Sequence, residues 1–333
     1  MPYFFFWGKQ ILLKHLKLQQ KTEESGDELP SSPFLILSRD LENARNLERK
    51  QVEIMGAMSK RHNLEKFIDK VFNCDVIDLL RKLPDSSVDC VYADPDYNVG
   101  VKYNNERSYS KSFDEYISWC IDWCKESYRV MREQGNLFII NYPKNNAYLR
   151  TRYLDGAFYG VYDYVWVYNT NIGHSRNRFT TAHRSILHCV KSKHNKFYKQ
   201  NVAMPYLNPK DKRIQGQIAK GEKGRMPYSW LYFNLVKNVG ITKTFHSCQI
   251  PEGLSRTLIA SCTLPGDVVL VLFGGSGSEI VECKRMKRHF ISAEIDKTYY
   301  ELISKRLQLG GDVPKEYRLI SKMKSNLKLR NGG

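Results

Sequence analysis

The chain has 333 residues, 42% of them apolar, which is enough for one large core or two modest ones. No apolar run approaches the roughly 18 residues of a membrane helix, and the start, MPYFFFWGKQILLKHL, lacks the pattern of a secretory signal, so neither is expected. A net charge of +17 points instead to a polyanionic partner, nucleic acid first.

The eight cysteines are scattered without CxxC pairs, and several sit in hydrophobic runs. They read as reduced, buried thiols of a cytoplasmic protein, nucleoid-associated through DNA, with no metal site.

Residues 1–57 carry the linker-like stretch QQKTEESGDELPSSP and then a charged, helix-like segment, and read as an appendage. From Asn73 the texture changes. Asn73 to Tyr97 predicts a short strand, an amphipathic helix ending before Pro84, and a strand at Val88–Ala93. Ser112–Met131 has apolar residues at three- and four-residue intervals and predicts a helix, followed by a buried strand in NLFIINY. Further strands are expected at Tyr162–Thr170 and Ser185–Lys191, and Trp166 is expected in the core. Asn171 to Thr244 then holds 15 Lys/Arg against two acidic residues, and reads as an insertion outside the sheet. After it the alternation resumes: helix Gly253–Cys262, strand Asp267–Phe273, helix Ser278–Met286, a strand in HFISAEID and helix Tyr299–Leu307. Strands alternating with helices predict an α/β fold with a doubly wound, mostly parallel sheet.

In such sheets ligands bind beyond the carboxyl ends of the strands. Three points fall there. VDCVYADPDYNVG ends a strand on Asp94, Pro95, Asp96 and Tyr97. FGGSGSE turns from strand to helix through Phe273, Gly275, Ser276 and Gly277, where glycines admit a close ligand and a helix start favours an anion. Glu294, about 20 residues on, suits a ribose diol.

Together these motifs resemble the S-adenosylmethionine-dependent amino-methyltransferases of DNA, which act on adenine N6 or cytosine N4. DPDY is similar to their [DNS]PP[YFW] motif, Phe273-x-Gly275-x-Gly277 to their FxGxG, and HSCQIPEGLSRTLI (His246 to Ile259) to a third motif near HPTQKPE. Catalytic motif, basic segment, then cofactor motif matches the family's beta order. The resemblance implies a seven-stranded-type Rossmann-like sheet, S-adenosyl-L-methionine as cofactor and double-stranded DNA as substrate. It divides the chain into a catalytic half (58–170), a basic target-recognition region (171–244), a cofactor half (245–310) and a basic tail (311–333). Asp94, Pro95, Asp96 and Tyr97 would be catalytic, with Tyr97 stacking on a base flipped out of the duplex. Asp94, His246, Gln249, Phe273, Gly275, Ser276, Gly277 and Glu294 would hold the cofactor. Arg176, Arg178, Lys210, Lys212 and Arg213 would touch DNA. A homodimer and a cognate restriction endonuclease are the further partners that family habit implies.

The departures are specific. Asp96 stands where the family has a second proline, Val271 and Leu272 replace an Asp-Pro, and Ser247, Cys248 and Ile250 depart from the third motif. The leading Asp94 puts adenine N6 ahead of cytosine N4, since the cytosine enzymes more often begin with Ser. A catalytically weak or inactive DNA-binding protein on the same fold is the rival reading.

Overall fold

A computed structural model describes Asn46 and residues 63–98, 112–169, 176–236 and 240–319. The chain divides into two compact units, 1–59 and 60–333, and the fold below belongs to the second. The appendage read at 1–57 and the far end of the basic tail lie outside the described residues.

Local sequence explains the strongest elements. Strand β2 (Val88–Ala93) has all six residues buried. Its side chains alternate between two cores, Val91 and Ala93 on one face and Cys90 and Tyr92 on the other. Asp89, inside this strand, is held at 1% exposure by Arg132, Lys196 and the Val268 amide. Helix α2 (Phe113–Val130) opens on a reciprocal capping box between Ser112 and Glu115. It buries Tyr116, Ile117, Cys120, Trp123 and Cys124 along one stripe.

The remaining elements, in order, are β1 (Lys70–Phe72) and α1 (Val76–Lys82) before β2, then β3 (Met131–Asn141), α3 (Pro143–Leu149), α4 (Asp155–Ala157), β4 (Gly160–Val167), β5 (His183–Val190), α5 (Lys199–Val202), α6 (Lys212–Ala219), β6 (Trp230–Tyr232), α7 (Glu252–Cys262), β7 (Val268–Val271), α8 (Ser278–Arg285), β8 (His289–Ala293) and α9 (Lys297–Gln308). They form one eight-stranded sheet in the order β1-β8-β7-β2-β3-β5-β4-β6. Only β5 runs antiparallel to its neighbours. Helices α1 and α2 contribute to one core, and α7 and α8 to the other. Trp166 is buried, its indole donating to the Phe233 carbonyl at 2.6 Å. No helix among the described residues is long and apolar enough to cross a membrane.

Three expectations need correction. The first strand is Lys70–Phe72, just before Asn73, because a three-residue strand leaves too little pattern to place it. The basic segment 171–244 is not outside the sheet: it supplies β5, paired on both sides, and the edge strand β6. The sheet therefore has eight strands rather than seven, β6 being the added edge.

Sheet direction then sorts the connections. The carboxyl ends of β2, β4, β7 and β8 share one edge, so the turns after β2 and β7 and the β4–β5 connection all emerge there. The connection 191–229 leaves antiparallel β5 and enters β6 at the opposite edge. Lys196 confirms it by pairing with Asp89 and Asp267, at the starts of β2 and β7.

Candidate active site

Two adjoining clefts open along the carboxyl edge of β7, β8 and β2. The first holds about 970 Å³ of free space, its open mouth included, between the Asp94–Asp96 turn, the Phe273–Ser276 turn, the 246–250 loop and Glu294–Asp296. The second, about 700 Å³, has apolar walls of Val76, Tyr116, Trp119, Leu272 and Phe273, with Asp75 at its side. Asp96, Phe273, Glu294 and Ile295 border both.

The Asp94–Tyr97 turn is built rigidly. β2 delivers Asp94 from a fully buried strand, and Pro95 restricts the backbone at the next step. The Tyr97 hydroxyl donates to Asp94 Oδ1 at 2.5 Å. Asn145 donates to the Tyr97 carbonyl at 2.9 Å and to Asn141 Oδ1 at 2.8 Å, while Asn141 donates to the Tyr116 hydroxyl. These buried amides satisfy one another and hold the turn against α2 and α3. Burial pushes the Asp94 carboxyl well above the usual carboxylate range, and Glu279 and Asp96 add to the rise; the Tyr97 bond and Arg184 oppose it.

Tyr97 differs from the expectation of an open stacking platform. Its ring is 5% exposed, abutted edge-on by Tyr142 at 5.3 Å, with the Arg184 guanidinium 5.6 Å from its centroid. The same guanidinium lies 4.2 Å from Tyr142 and 5.7 Å from Tyr168, inside an aromatic cage. In this arrangement the tyrosine acts on Asp94 through its hydroxyl.

The glycine turn follows from backbone needs. Gly275 and Gly277 have φ of +51° and +78°, which side-chain-bearing residues rarely adopt. A Cβ on Gly275 would lie 3.3 Å from His246 Nε2. Phe273 packs against Trp119 and Trp123 and closes the floor between the clefts. Ser276 is buried beside Ser278. Glu294 accepts from the Gly275 and Asp296 amides at 2.7 and 2.8 Å, and burial nevertheless pushes its carboxyl up to about 7.

His246 lines the first cleft, packed edge-on against Tyr299. Burial, with Lys243 nearby, lowers its imidazole to about 3, so it is neutral at physiological pH. Gln249 is not at the cleft. It accepts from the Thr244 amide and donates to the Thr242 carbonyl, bracing the loop that carries His246.

Arg176 and Arg178 are exposed on the β4–β5 connection, at the same edge as Asp94. Lys210, Lys212 and Arg213 are exposed too, but on the connection at the opposite edge. The antiparallel run of β5 thus sets these three residues at the edge of the sheet opposite the Asp94 turn. Spacing alone does not mark Asp75, Trp119 or Arg184, which lie outside all three motifs and whose place depends on tertiary packing, and Glu279 ends FGGSGSE with no role assigned to it.

The arrangement fits a definite kind of ligand. An apolar slot with a carboxylate beside it suits a purine, Glu294 between the clefts suits a ribose diol, and the acid-lined first cleft suits a cationic tail. Beside that tail, Asp94 and the Pro95 carbonyl can accept hydrogens from an amino group.

The profile of the N6/N4 DNA methylase family matches residues 88–305. The chain is similar to the type II methyltransferase M.BglII of Bacillus subtilis, 26% identical over 307 residues that cover 87% of this chain and 75% of the relative. In fold it is similar to the PvuII DNA methyltransferase (cytosine-N4-specific), with a TM-score of 0.56 at 18% identity, covering 71% of this chain and 85% of that one. The M1.HpyAVI–SAM complex aligns with a TM-score of 0.51 at 22% identity, covering 72% of this chain and 98% of that one.

Proposed function

The chain belongs to the N6/N4 DNA methylase family, and from that premise we propose that it transfers a methyl group from S-adenosyl-L-methionine to the N6 amino group of adenine in duplex DNA. The observation that carries the reading is the opening of the Asp94–Asp96 turn onto the same cleft as the Phe273–Ser276 turn. Asp94 rather than serine at the head of the catalytic motif carries the choice of adenine over cytosine.

The second cleft would hold the adenine of the cofactor between Trp119 and Leu272, and Glu294 its ribose hydroxyls. When bound, the cofactor supplies an electrophilic methyl on a sulfonium. The protein's own work concerns the nucleophile. An exocyclic amino group is a poor one because its lone pair is delocalised into the ring. Asp94 as carboxylate and the Pro95 carbonyl accept its two hydrogens, which favours a tetrahedral nitrogen and frees the lone pair. Tyr97 keeps Asp94 in that orientation and favours its charged form. Asp94 is also the nearest group to accept the proton that the methylated nitrogen gives up. Positioning supplies most of the remaining acceleration.

Arg176 and Arg178, at the catalytic edge, are the proposed phosphate contacts. A homodimer and a cognate restriction endonuclease remain proposals from family habit.

Transfer of labelled methyl to duplex DNA, run beside a structured RNA, tests the reading. Label is expected in DNA; label in RNA alone overturns it. Binding to DNA with no cofactor binding and no transfer would favour an inactive DNA-binding protein.

A further inference from the structure

The first cleft contains an acid, the last residue of FGGSGSE, to which the motif assigns no role. Glu279, one residue into α8, is 4% exposed and is one of the residues that line the cleft. Its one described side-chain partner is Ser255 on α7, whose hydroxyl donates at 3.3 Å and lies 3.4 Å from the Tyr92 hydroxyl. Among the described residues no lysine or arginine forms an ion pair with Glu279 or Asp94. The cation that acts on Glu279, Arg306 on α9, is engaged elsewhere: it donates to Glu252 at 2.6 Å and to the Ser276 and Gly311 carbonyls. A buried carboxyl, Glu279, and a half-buried one, Asp94, therefore line one cleft with no ion-pair partner among the described residues, an arrangement that favours an incoming cation.

We propose that Glu279 is a cofactor-binding residue whose carboxylate, together with Asp94, receives the α-ammonium group of the methionine moiety of S-adenosylmethionine. This rests on the methyltransferase reading. An ammonium has three N–H donors that form short charge-assisted bonds to carboxylates, whereas a sulfonium has none. The start of α8 beside Ser276 provides positive dipole for the neighbouring α-carboxylate, so the cleft matches both ends of an amino-acid zwitterion.

The proposal carries a pH signature. Burial pushes the Glu279 carboxyl up to about 7. The groups that act on it from the elements packed against it are Tyr92 and Asp94 from β2 and its turn, Glu252 from α7, Cys283 from α8 itself and Arg306 from α9. Of these only Arg306 is cationic, and Glu252 neutralises it. Below about 7 Glu279 carries a proton and offers an ammonium no charge; above it the carboxylate is free to pair. The ligand's own α-amino group stays protonated to about pH 8. Affinity for S-adenosylmethionine therefore rises from about pH 6 to about pH 7.5.

Calorimetric titration of the full chain with S-adenosylmethionine and with 5′-methylthioadenosine, which lacks the amino-acid part, tests this. Glu279→Gln is expected to weaken S-adenosylmethionine at about pH 7.5 by roughly tenfold or more. The same variant flattens the rise with pH and leaves 5′-methylthioadenosine unchanged. Glu279→Asp, which keeps the charge, retains part of the affinity and of the pH dependence. Unchanged S-adenosylmethionine affinity in Glu279→Gln, or an equal loss for both ligands, overturns the proposal, the latter by showing a merely structural role. If the wild-type chain binds neither ligand, with or without DNA, the methyltransferase reading itself fails, and this subsite with it.

Discussion

The Tyr97 hydroxyl donates to Asp94 Oδ1 across 2.5 Å, so the last residue of the DPDY turn favours the charged form of the first. Burial disfavours the Asp94 carboxylate, and this bond favours it. If methyl transfer uses Asp94 as a carboxylate, as proposed, turnover falls as pH drops through its raised pKa. Removing the hydroxyl with Tyr97→Phe should move that rising limb to higher pH by about one unit, since a hydrogen bond to a charged group contributes on the order of 1.5–3 kcal/mol. Single-turnover rates against pH check this. A limb that stays in place would show that the bond does not govern Asp94.

Asp94→Asn should cut methyl transfer by about a thousandfold or more, as expected when a reacting hydrogen is no longer held by a carboxylate. The same change should not unfold the protein. Asp94 has its pKa raised in the folded state, so it is a stabilising neutral group at low pH and a buried charge at high pH. The amide mimics the neutral form, and the variant should melt at or above the wild-type temperature near pH 8. An inactive variant that melts well below wild type would mean that Asp94 is structural.

The same sign applies to Glu279 and Glu294, both raised to about 7. Each contributes stability that is fully present below the unfolded value near 4.5 and is lost as pH rises through about 7. The upper size is on the order of 3 kcal/mol for each group. The cofactor-free protein should therefore melt about 5 °C or more lower at pH 8 than at pH 5 from these groups. Glu279→Gln should shrink that difference, and scanning calorimetry across pH measures it. A melting temperature that climbs steadily from pH 5 to 8, unaltered in the variant, would contradict the assignment of these carboxyls as buried and raised.

Sheet direction separates two sets of basic residues that look alike in sequence. If Arg176 and Arg178 neutralise phosphates at the catalytic edge, replacing both with Ala should flatten the log–log salt dependence of DNA binding by up to about 1.8, at about 0.9 per contact. Lys210→Ala, Lys212→Ala and Arg213→Ala combined should change it less. Fluorescence anisotropy over a salt series decides. The reverse ranking would put the DNA on the opposite edge and undo the topological argument.

Residue patterning made much of this fold legible. β2 spans Val88–Ala93 as its apolar run predicts, and α2 begins where Ser112 and Glu115 form their capping box. β1 and β6, three residues each, leave too little period to read. β5 was legible as a strand from its own run, which ends in five buried residues, but the basic residues around it hid that the segment joins the sheet. In the site, Asp94, Phe273, Gly275, Ser276 and Glu294 line the first cleft and were legible, because a strand end followed by proline or glycine, or ending on an acid, is a local signal. Gln249 turned inward to brace a loop, and Tyr97 turned its hydroxyl to Asp94. Glu279 and Trp119 reached the clefts only through helix packing, which no spacing encodes.

The most direct test of the central claim is mass spectrometry of nucleosides released from duplex DNA after incubation with the protein and methyl-labelled S-adenosylmethionine. The account predicts labelled N6-methyladenine with the wild-type chain and none with Asp94→Ala. Label confined to N4-methylcytosine would contradict the choice of adenine. Labelled DNA at wild-type levels from Asp94→Ala would contradict the mechanism.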